Sequence, residues 1–225
     1  MQRFFDLFFA GLALVCLAPL FLPIIIILRL TGEGKVFFKQ QRVGRYGRPF
    51  GLLKFATMLK DSPNFGSGTI TTKDDPRVLP FGKFLRKTKI NELPQLINIL
   101  QGDMSVIGPR PQTQRCFDAF PKQSQDMILQ VRPGLSGIGS IVFREEEEMI
   151  DVVADPDRLY DEVIMPYKGQ LEEWYVARRS ISLYFMSIFL TIFGVVFPKS
   201  QIYWRFFPSL PRPPILLKEY LSKES

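Results

Sequence analysis

The stretch KTKINELPQLINILQGDMSVIGPRP, residues 87–111, determines the local fold of the residues that are best suited to a functional site. It predicts a short helix over residues 92–100, because Asn91 is a good N-cap, Pro94 is tolerated in a first turn and Gly102 readily ends a helix. A helix N-terminus carries a positive partial charge. An acid opens the predicted helix, and a Gly-Asp turn and a Pro-Arg-Pro tripeptide follow it. The stretch therefore brings a dipole, an acid and a guanidinium together within a short span.

Glu92 and Arg110 are the residues of this stretch that suit phosphate chemistry. Glu92 is a candidate ligand for Mg²⁺, which binds one or two carboxylates together with substrate phosphates. Arg110 lies between Pro109 and Pro111, which restrict its backbone, so its guanidinium is a preorganised fork for a phosphate. Each residue alone also has a simpler interpretation: Glu92 as a partner of the helix dipole, and Arg110 as half of a structural ion pair.

Further cations lie on loops or at the ends of predicted elements around the same stretch: Lys54, Arg77, Arg86 and Arg132. Any one of them alone is an ordinary surface charge. Together with a metal held by oxygen atoms they describe a phosphate site, because phosphoryl transfer needs positioning and charge neutralisation. The sequence therefore predicts that these cations and the Pro-Arg-Pro tripeptide bind a phosphorylated substrate.

The composition excludes several kinds of catalytic site. The 225-residue chain has no histidine, which excludes Ser-His and Cys-His nucleophilic pairs, histidine general bases and histidine metal ligands. Cys16 and Cys116 predict neither a disulfide nor a zinc site, so a reducing cytosolic compartment fits best. The net charge of +7 indicates an anionic partner: phosphorylated substrates, an anionic membrane or nucleic acid. Because no nucleic-acid-binding module is recognisable, we expect no nucleic-acid partner.

Residues 7–28 form an uncharged run about as long as a helix needs to cross a bilayer core of roughly 30 Å. Pro19 and Pro23 predict a sharp kink in this helix. Basic residues flank both ends, so the positive-inside rule prefers neither orientation. A re-entrant helix with both ends in the cytosol explains this symmetry. An ordinary kinked transmembrane helix is the alternative, since proline is tolerated there.

The remaining chain shows several local patterns. Two strand-like runs around GRYGRP predict a β-hairpin over residues 36–55. The polar stretch 60–77 is typical of a long substrate-facing loop. Residues 144–153 and 157–179 predict charged amphipathic helices, the second interrupted near Pro166. A run of glutamates begins the first of these helices and is interpreted as its solvated start.

A second uncharged stretch covers residues 180–197, at the lower edge of spanning length. It predicts a shallow helix in the plane of a membrane, at least as well as a second crossing. Aromatic side chains that would lie at headgroup level follow it: Tyr203, Trp204, Phe206 and Phe207.

In its motifs the chain resembles the bacterial sugar transferases of the monotopic phosphoglycosyl transferase family, over nearly its full length. The motifs are RFFDL and the apolar run after it, FFKQQRVGRYGRPF, KFATM, RPGLSG and, most specific, DDPRVLPFGKFLRKTKINELPQLINILQGDMSVIGPRP. The resemblance implies transfer of a sugar 1-phosphate from a UDP-sugar to polyprenyl (undecaprenyl) phosphate, with Mg²⁺ as cofactor and UMP as product. It places this reaction at the cytosolic face of the bacterial inner membrane, at the start of a lipid-linked surface glycan such as an exopolysaccharide.

The resemblance also implies a re-entrant helix that stays in one leaflet. The expected fold is α+β and helix-rich with a small β-hairpin: a monotopic membrane protein with an N-terminal helix broken by proline and C-terminal interfacial amphipathic helices. The expected parts are a re-entrant helix at 1–30, a cytosolic catalytic domain at 31–180, and a membrane-associated helix and tail at 181–225. Membrane lipid is an expected partner beside donor and acceptor, and a homo-oligomer is left open.

Asn91 departs from the family pattern, in which an Asp-Glu pair occupies the Asn91-Glu92 position. In the family the Asp attacks the β-phosphate and the Glu helps to hold the metal. A neutral amide is a very poor nucleophile toward phosphorus, so Glu92 keeps its expected role and Asn91 does not. Three alternatives remain. Glu92 or another acid such as Asp103 is the nucleophile; the polyprenyl phosphate attacks the donor directly; or the protein is a silent relative that binds nucleotide sugar or partner glycosyltransferases as a membrane scaffold.

Overall fold

The computed structural model describes residues 1–31, 33–59, 75–144 and 156–221. Most of the predicted substrate-facing loop and nearly all of the predicted helix with the glutamate run lie outside the described residues.

The regular elements follow one another in this order: helix α1 (Gln2–Leu30), strands β1 (Phe37–Val43) and β2 (Pro49–Phe55), helices α2 (Pro80–Lys87) and α3 (Gln95–Gln101), strand β3 (Ser105–Ile107), helices α4 (Gln114–Asp118) and α5 (Lys122–Ile128), strand β4 (Gly134–Ser136), and helices α6 (Ile138–Val142), α7 (Pro156–Leu159), α8 (Met165–Ala177), α9 (Ile181–Val196), α10 (Tyr203–Phe206) and α11 (Ile215–Leu221). In the described residues the strands pair into two small two-stranded sheets. The prediction of a helix-rich α+β fold is confirmed.

Strands β1 and β2 form the predicted antiparallel hairpin. Phe37 pairs with Phe55 at the open end, and Val43 pairs with Pro49 at the turn. The turn contains a short 3-10 segment in which Tyr46 has φ 60° and Gly47 has φ 72°. Positive φ at consecutive turn residues matches the right-handed twist of the two strands, which explains the tight reversal.

Helix α1 is 29 residues long and continues without interruption through Pro19 and Pro23. At the usual rise per residue it extends for about 44 Å. All residues of this helix are described, and its secondary structure is continuous at both prolines. The predicted break in the helix is therefore not seen there. Among the residues that the structure describes, α1 alone is long and apolar enough to cross a membrane.

One side of α1 packs against α3 and β3 in its N-terminal half, and its C-terminal half lies against the end of β2. Ala10 lies in an apolar cluster with Leu52 of β2. Leu28 lies in another cluster with Phe55, at the far end of the same strand. Most of the remaining helix surface consists of exposed apolar side chains. Helix α1 is thus attached along the domain by one side and open on the other.

Polar residues in the first turns of α1 fix its start. Asp6 is buried and accepts hydrogen bonds from the Ser105 hydroxyl at 2.8 Å, the Val106 backbone N–H at 2.9 Å and the Tyr184 hydroxyl at 3.0 Å. Arg3 donates to carbonyl groups at the C-terminal end of α3, at 2.7 and 3.1 Å. These bonds tie α1, α3, β3 and α9 to one another.

Strands β3 and β4 form a short parallel pair that the sequence analysis did not predict. Ser105 pairs with Gly134, and Ile107 pairs with Ser136. The ladder continues past β3, because the Gly134 N–H donates to the Pro109 carbonyl at 2.8 Å. A side chain at Gly134 would collide with the opposite backbone, so only glycine permits this close approach.

Helix α8 forms the centre of the largest hydrophobic core. A π-helical turn, Tyr160–Ile164, joins α7 to α8 directly before Pro166. Proline cannot donate the usual helical hydrogen bond, and a local π turn accommodates it. The predicted interruption near Pro166 is therefore a change of helix type within one helical segment. Tyr167 and Leu171 are almost completely buried in this core.

Helix α9 has one buried side and one exposed apolar side. Its buried residues include Tyr184 and Leu190, which face the core. Large apolar side chains on the opposite side are exposed: Phe185, Phe189, Ile192, Val195 and Val196. The ring of Phe185 contacts Phe5 of α1 with centroids 5.0 Å apart, so the exposed sides of the two helices adjoin.

Candidate active site

A short 3-10 turn, Ile90–Glu92, presents the acid and the amide of the decisive stretch. Lys89 precedes it in the left-handed region, with φ 57°. Helix α3 starts only after Pro94, which is its N-cap, and Gly102 ends it with φ 97°. The predicted end of the helix is confirmed. The prediction that Asn91 caps it is wrong, because Asn91 lies within the 3-10 turn that precedes α3.

Glu92 lies between two of the predicted cations. Its carboxylate accepts a hydrogen bond from Arg110 Nη2 at 2.7 Å and forms an ion pair with Lys54 Nζ at 3.6 Å. Burial raises the pKa of the Glu92 carboxyl, but the charges of Arg110 and Lys54 outweigh burial and bring its pKa well below the usual range. Glu92 is therefore an anion at any pH near neutrality. The simpler interpretation of Arg110 as half of an ion pair is thus realised, but inside the predicted site.

The surroundings of Lys54 destabilise the positive charge of its ammonium group. Burial lowers the pKa of the Lys54 ammonium to about 8, with further lowering from Arg110, Arg42 and Arg86, and Glu92 opposes the change only in part. Like charges close together disfavour the protonated form. The predicted residue Arg86 therefore belongs to the surroundings of the site. A cluster in which several cations share one carboxylate suits an added anionic group.

Two neighbouring segments hold the Pro-Arg-Pro tripeptide in place. The Pro109 carbonyl accepts the N–H of Gly134 at 2.8 Å, which extends the β3–β4 ladder. The Pro111 carbonyl accepts a hydrogen bond from Arg42 Nη1 at 3.3 Å. Because the backbone is fixed on both sides of Arg110, the guanidinium is directed at Glu92. Pro109 and Pro111 thus hold this segment through their backbone carbonyls.

Asn91 is buried directly beside this cluster, with 7% of its surface exposed. Its Oδ1 atom has no hydrogen-bond partner within the described part of the chain. A buried carbonyl oxygen without a partner is uncommon in proteins and costs free energy. Asn91 is therefore a candidate to contact a ligand of the site.

The structure does not bring Asp103 and Arg132 to the cluster. Both lie at the C-terminal end of α3, about 10 Å along the helix axis from its start. Asp103 accepts a hydrogen bond from Asn98 Nδ2 at 3.4 Å, and Arg132 Nε donates to the Gly102 carbonyl at 2.8 Å. Asp103 and Arg132 therefore bond at the C-terminal end of α3 and not to the residues around Glu92.

Arg77 forms a buried, two-pronged ion pair with Asp75. The Nε atom of Arg77 lies 2.8 Å from one carboxylate oxygen of Asp75 and 3.1 Å from the other. The hydrogen bonds from Arg77 lower the pKa of the Asp75 carboxyl. The Arg77 carbonyl accepts the N–H of Leu59 at 3.0 Å, so this pair fixes the segment ahead of α2. The structure thus assigns Arg77 a local structural role.

Arg42 is a member of the cluster that the sequence analysis did not single out. Burial, followed by the nearby charge of Arg110, lowers the pKa of Arg42 to about 10. Its Nε atom is buried and makes no hydrogen bond to any described residue. The hairpin register pairs Phe38 with Lys54 and Arg42 with Phe50, so Arg42 and Lys54 lie on the same face. That alternation was the signal in the sequence that could have identified Arg42.

A model of the family described as bacterial sugar transferase matches residues 1–198 of the chain. The chain belongs to the bacterial sugar transferase family. The resemblance carried by the sequence motifs is thereby confirmed, and the protein is a transferase enzyme of this family.

Known relatives of this sugar transferase include Exopolysaccharide production protein ExoY of Sinorhizobium fredii (strain NBRC 101917 / NGR234), 36% identical over 159 residues, which cover 64% of this chain and 70% of the relative. The UDP-glucose:undecaprenyl-phosphate glucose-1-phosphate transferase of Klebsiella pneumoniae is 33% identical over 202 residues, 88% of this chain and 41% of the relative. The UDP-N-acetylgalactosamine-undecaprenyl-phosphate N-acetylgalactosaminephosphotransferase of Aeromonas hydrophila is 38% identical over 143 residues, 63% of this chain and 34% of the relative. The sugar transferase chain spans less than half the length of the last two proteins.

Proposed function

We propose that the protein transfers a sugar 1-phosphate from a UDP-sugar to polyprenyl (undecaprenyl) phosphate and releases UMP. The observation that carries the proposal is the pairing of Lys54 and Arg110 with the carboxylate of Glu92, with the charge of Arg42 nearby. Membership in the sugar transferase family and the names of the relatives from Klebsiella and Aeromonas support the same reaction.

The diphosphate of the donor would bind to this cluster of cations. A UDP-sugar brings negative charge on two linked phosphates, which offsets the repulsion among Lys54, Arg42 and Arg110. Arg110 is the cation best placed for a forked contact, because its backbone is fixed on both sides. Charge stabilisation of this kind assists phosphoryl transfer without a histidine.

Glu92 and Asn91 would hold Mg²⁺. The Asn91 Oδ1 atom is buried without a hydrogen-bond partner among the described residues, and Asn91 directly precedes Glu92 in the 3-10 turn. One carboxylate and one amide oxygen fit an ion that takes its other ligands from water and substrate phosphates. When bound, Mg²⁺ would neutralise charge on the diphosphate. This assignment gives Asn91 a binding role that an amide can fill.

The transfer would be direct. Asn91 is not a nucleophile, Asp103 lies at the far end of α3, and Glu92 is held by two cations. An oxygen of the lipid phosphate would attack the β-phosphorus of the donor, the bond from that phosphorus to the bridging oxygen would break, and the bridging oxygen would leave with UMP. Both substrates then occupy the site together.

Helix α1 and the exposed side of α9 would place the site at a membrane surface. Helix α1 contacts the part of the chain that holds the site through Asp6 in its first turns and beside Phe55 in its C-terminal half, which supports a monotopic arrangement with a re-entrant or in-plane helix in one leaflet. The exposed apolar sides of α1 and α9 adjoin, which provides a continuous surface for lipid. The polyprenyl tail would stay in the bilayer at the cytosolic face of the inner membrane, and its phosphate would reach the cations.

The test is UMP release by the purified full chain in lipid nanodiscs with Mg²⁺, undecaprenyl phosphate and a panel of UDP-sugars. We expect UMP only when the lipid acceptor is present, and a loss of at least about 100-fold in Glu92→Gln. Asn91→Asp is the matched variant: it adds an acid at the same position, and we expect it alone to release UMP without acceptor.

Each other outcome has a distinct meaning. UMP release by the unmodified protein without acceptor would contradict direct transfer but keep the transferase function. Binding of UDP-sugar with no UMP release under any condition would contradict the function itself and favour the scaffold interpretation.

A further inference from the structure

Glu172 on α8 is a buried acid that the proposed reaction does not use. Only 3% of its surface is exposed. Its Oε1 atom lies against Gly139, and the nearby backbone N–H groups of Gly139 and Arg110 both favour the charged carboxylate. Its Oε2 atom has no hydrogen-bond partner in the part of the chain that is described. The acid therefore lies next to the backbone of a site residue.

A contribution to folding stability does not explain why Glu172 is buried. Burial raises the pKa of its carboxyl to about 7, and the two backbone donors and the nearby Lys168 offset this rise only in part. A raised pKa means that the charged form is less stable in the folded protein than in water. A buried acid that costs folding energy and leaves one oxygen without a partner is typical of a functional site.

The segment around Arg110 is held by contacts with β4, with the hairpin and with helix α8. The β4 side is held by the ladder to Pro109, and the hairpin side by Arg42. On the α8 side, the Tyr175 hydroxyl donates to the Ile107 carbonyl at 3.1 Å, just ahead of the tripeptide. Glu172 lies one turn away on the same helix and contacts the N–H of Arg110 itself. Helix α8 thus supports the chain just ahead of the tripeptide and at its central residue.

The neighbour Gly139 leaves room for this acid. A Cβ atom at Gly139 would collide with Glu172 Oε1, so glycine permits the carboxyl to reach the backbone. The contact is therefore built from both sides, by a buried acid on α8 and by a residue without a side chain on α6.

We propose that Glu172 is a positioning residue: its carboxyl fixes the backbone at Arg110 so that the guanidinium meets the diphosphate of the donor. The inference rests on the proposed function, because it concerns the same donor site. Glu172 does not touch the substrate and acts only through Arg110.

The test measures binding of UDP, in Mg²⁺, to the full chain in nanodiscs without acceptor. Glu172→Leu removes the acceptor for both N–H groups, and we expect it to weaken UDP binding about 10-fold. Glu172→Gln keeps an acceptor oxygen and should stay within about 3-fold of the unmodified protein. Glu173→Leu is the matched control, because Glu173 lies next on α8 but bonds to Ser124 Oγ at 2.6 Å on α5. It should leave UDP binding unchanged.

A double-mutant cycle separates positioning from general loss of structure. In an Arg110→Ala background, adding Glu172→Leu should cause no further loss of UDP binding, since the group that Glu172 positions is gone. Equal losses in both backgrounds would overturn the inference, as would unchanged binding by Glu172→Leu. If Glu172→Leu does not fold, Gly139→Ala replaces it in the cycle, since the added methyl group displaces the same carboxyl.

The outcome is distinct from that of the proposed function. If the unmodified protein binds no UDP, the donor site itself is wrong. If it binds UDP and Glu172 has no effect, only the positioning role is wrong.

Discussion

The charge on Lys54 changes close to neutral pH, because burial and neighbouring cations lower its pKa to about 8. Below that pH the ammonium is protonated and can bind a phosphate; above it the amine is neutral and binds phosphate poorly. We expect kcat/KM for the UDP-sugar to fall about 10-fold for each pH unit well above 8. The measurement is kcat/KM from pH 6.5 to 10, since this quantity reports the free enzyme.

Lys54→Arg is the control for this prediction. An arginine stays protonated over the whole range, so the decrease at alkaline pH should disappear even if the activity at pH 7 is lower. The same decrease in both proteins would show that another group titrates.

Some residues of the candidate site have local sequence signatures, and others do not. The residues Glu92, Lys54 and Arg110 could be predicted, because a helix start, a strand end and a Pro-Arg-Pro tripeptide have local signatures. Asp103 lies close to Glu92 in sequence, whereas helix α3 separates the two in space. Glu172 has no local signature, because its role depends on packing between α8 and a distant segment.

At the level of elements, Asp6 links the membrane helix to the catalytic part of the chain. It is buried within an apolar helix and accepts hydrogen bonds from β3 and from Tyr184 of α9. Removing a buried acceptor leaves several donors without a partner. The register of α1 on β3 therefore depends on this carboxylate.

We expect Asp6→Ala to lower the free energy of unfolding by about 3 kcal/mol, because buried donors lose their acceptor. The measurement is urea unfolding in detergent micelles, followed by tryptophan fluorescence. Asp126→Ala is the control: Asp126 is exposed and pairs with Lys122 one turn away at 3.2 Å, so its loss should cost less than about 0.5 kcal/mol. Equal effects of the two substitutions would contradict the anchoring role.

The two sheets show which elements the sequence could predict. The β1–β2 hairpin has alternating residues and a glycine-containing turn, and both signals are local. Strands β3 and β4 have three residues each and pair in parallel across α4 and α5, so no local pattern connects them. The interpretation of Asn91 as a helix cap failed for a related reason: α3 begins one turn later than its sequence pattern suggests.

For the whole molecule, the decisive question is how α1 meets the membrane. A helix that crosses a bilayer has its ends on opposite sides, whereas the C-terminal half of α1 lies beside Phe55 of β2. The bonds from Arg3 and Asp6 fix the first end on the catalytic part of the chain as well. We therefore expect both ends of α1 on the side of the membrane that holds the active site.

Cysteine labelling tests this arrangement in cells. With Cys16 and Cys116 replaced by alanine, single cysteines are placed ahead of Met1 and at Lys35, and Lys122→Cys reports the side of the catalytic part, because that side chain is 80% exposed. A membrane-impermeant maleimide should label none of the three in intact spheroplasts and all three in inverted vesicles. A transmembrane α1 would instead expose one of its two ends in spheroplasts. That result would place one end of α1 on the opposite side of the membrane from the catalytic part. It would contradict the packing of Leu28 with Phe55 and the hydrogen bond of Asp6 with Ser105, which hold both ends of α1 on the catalytic part.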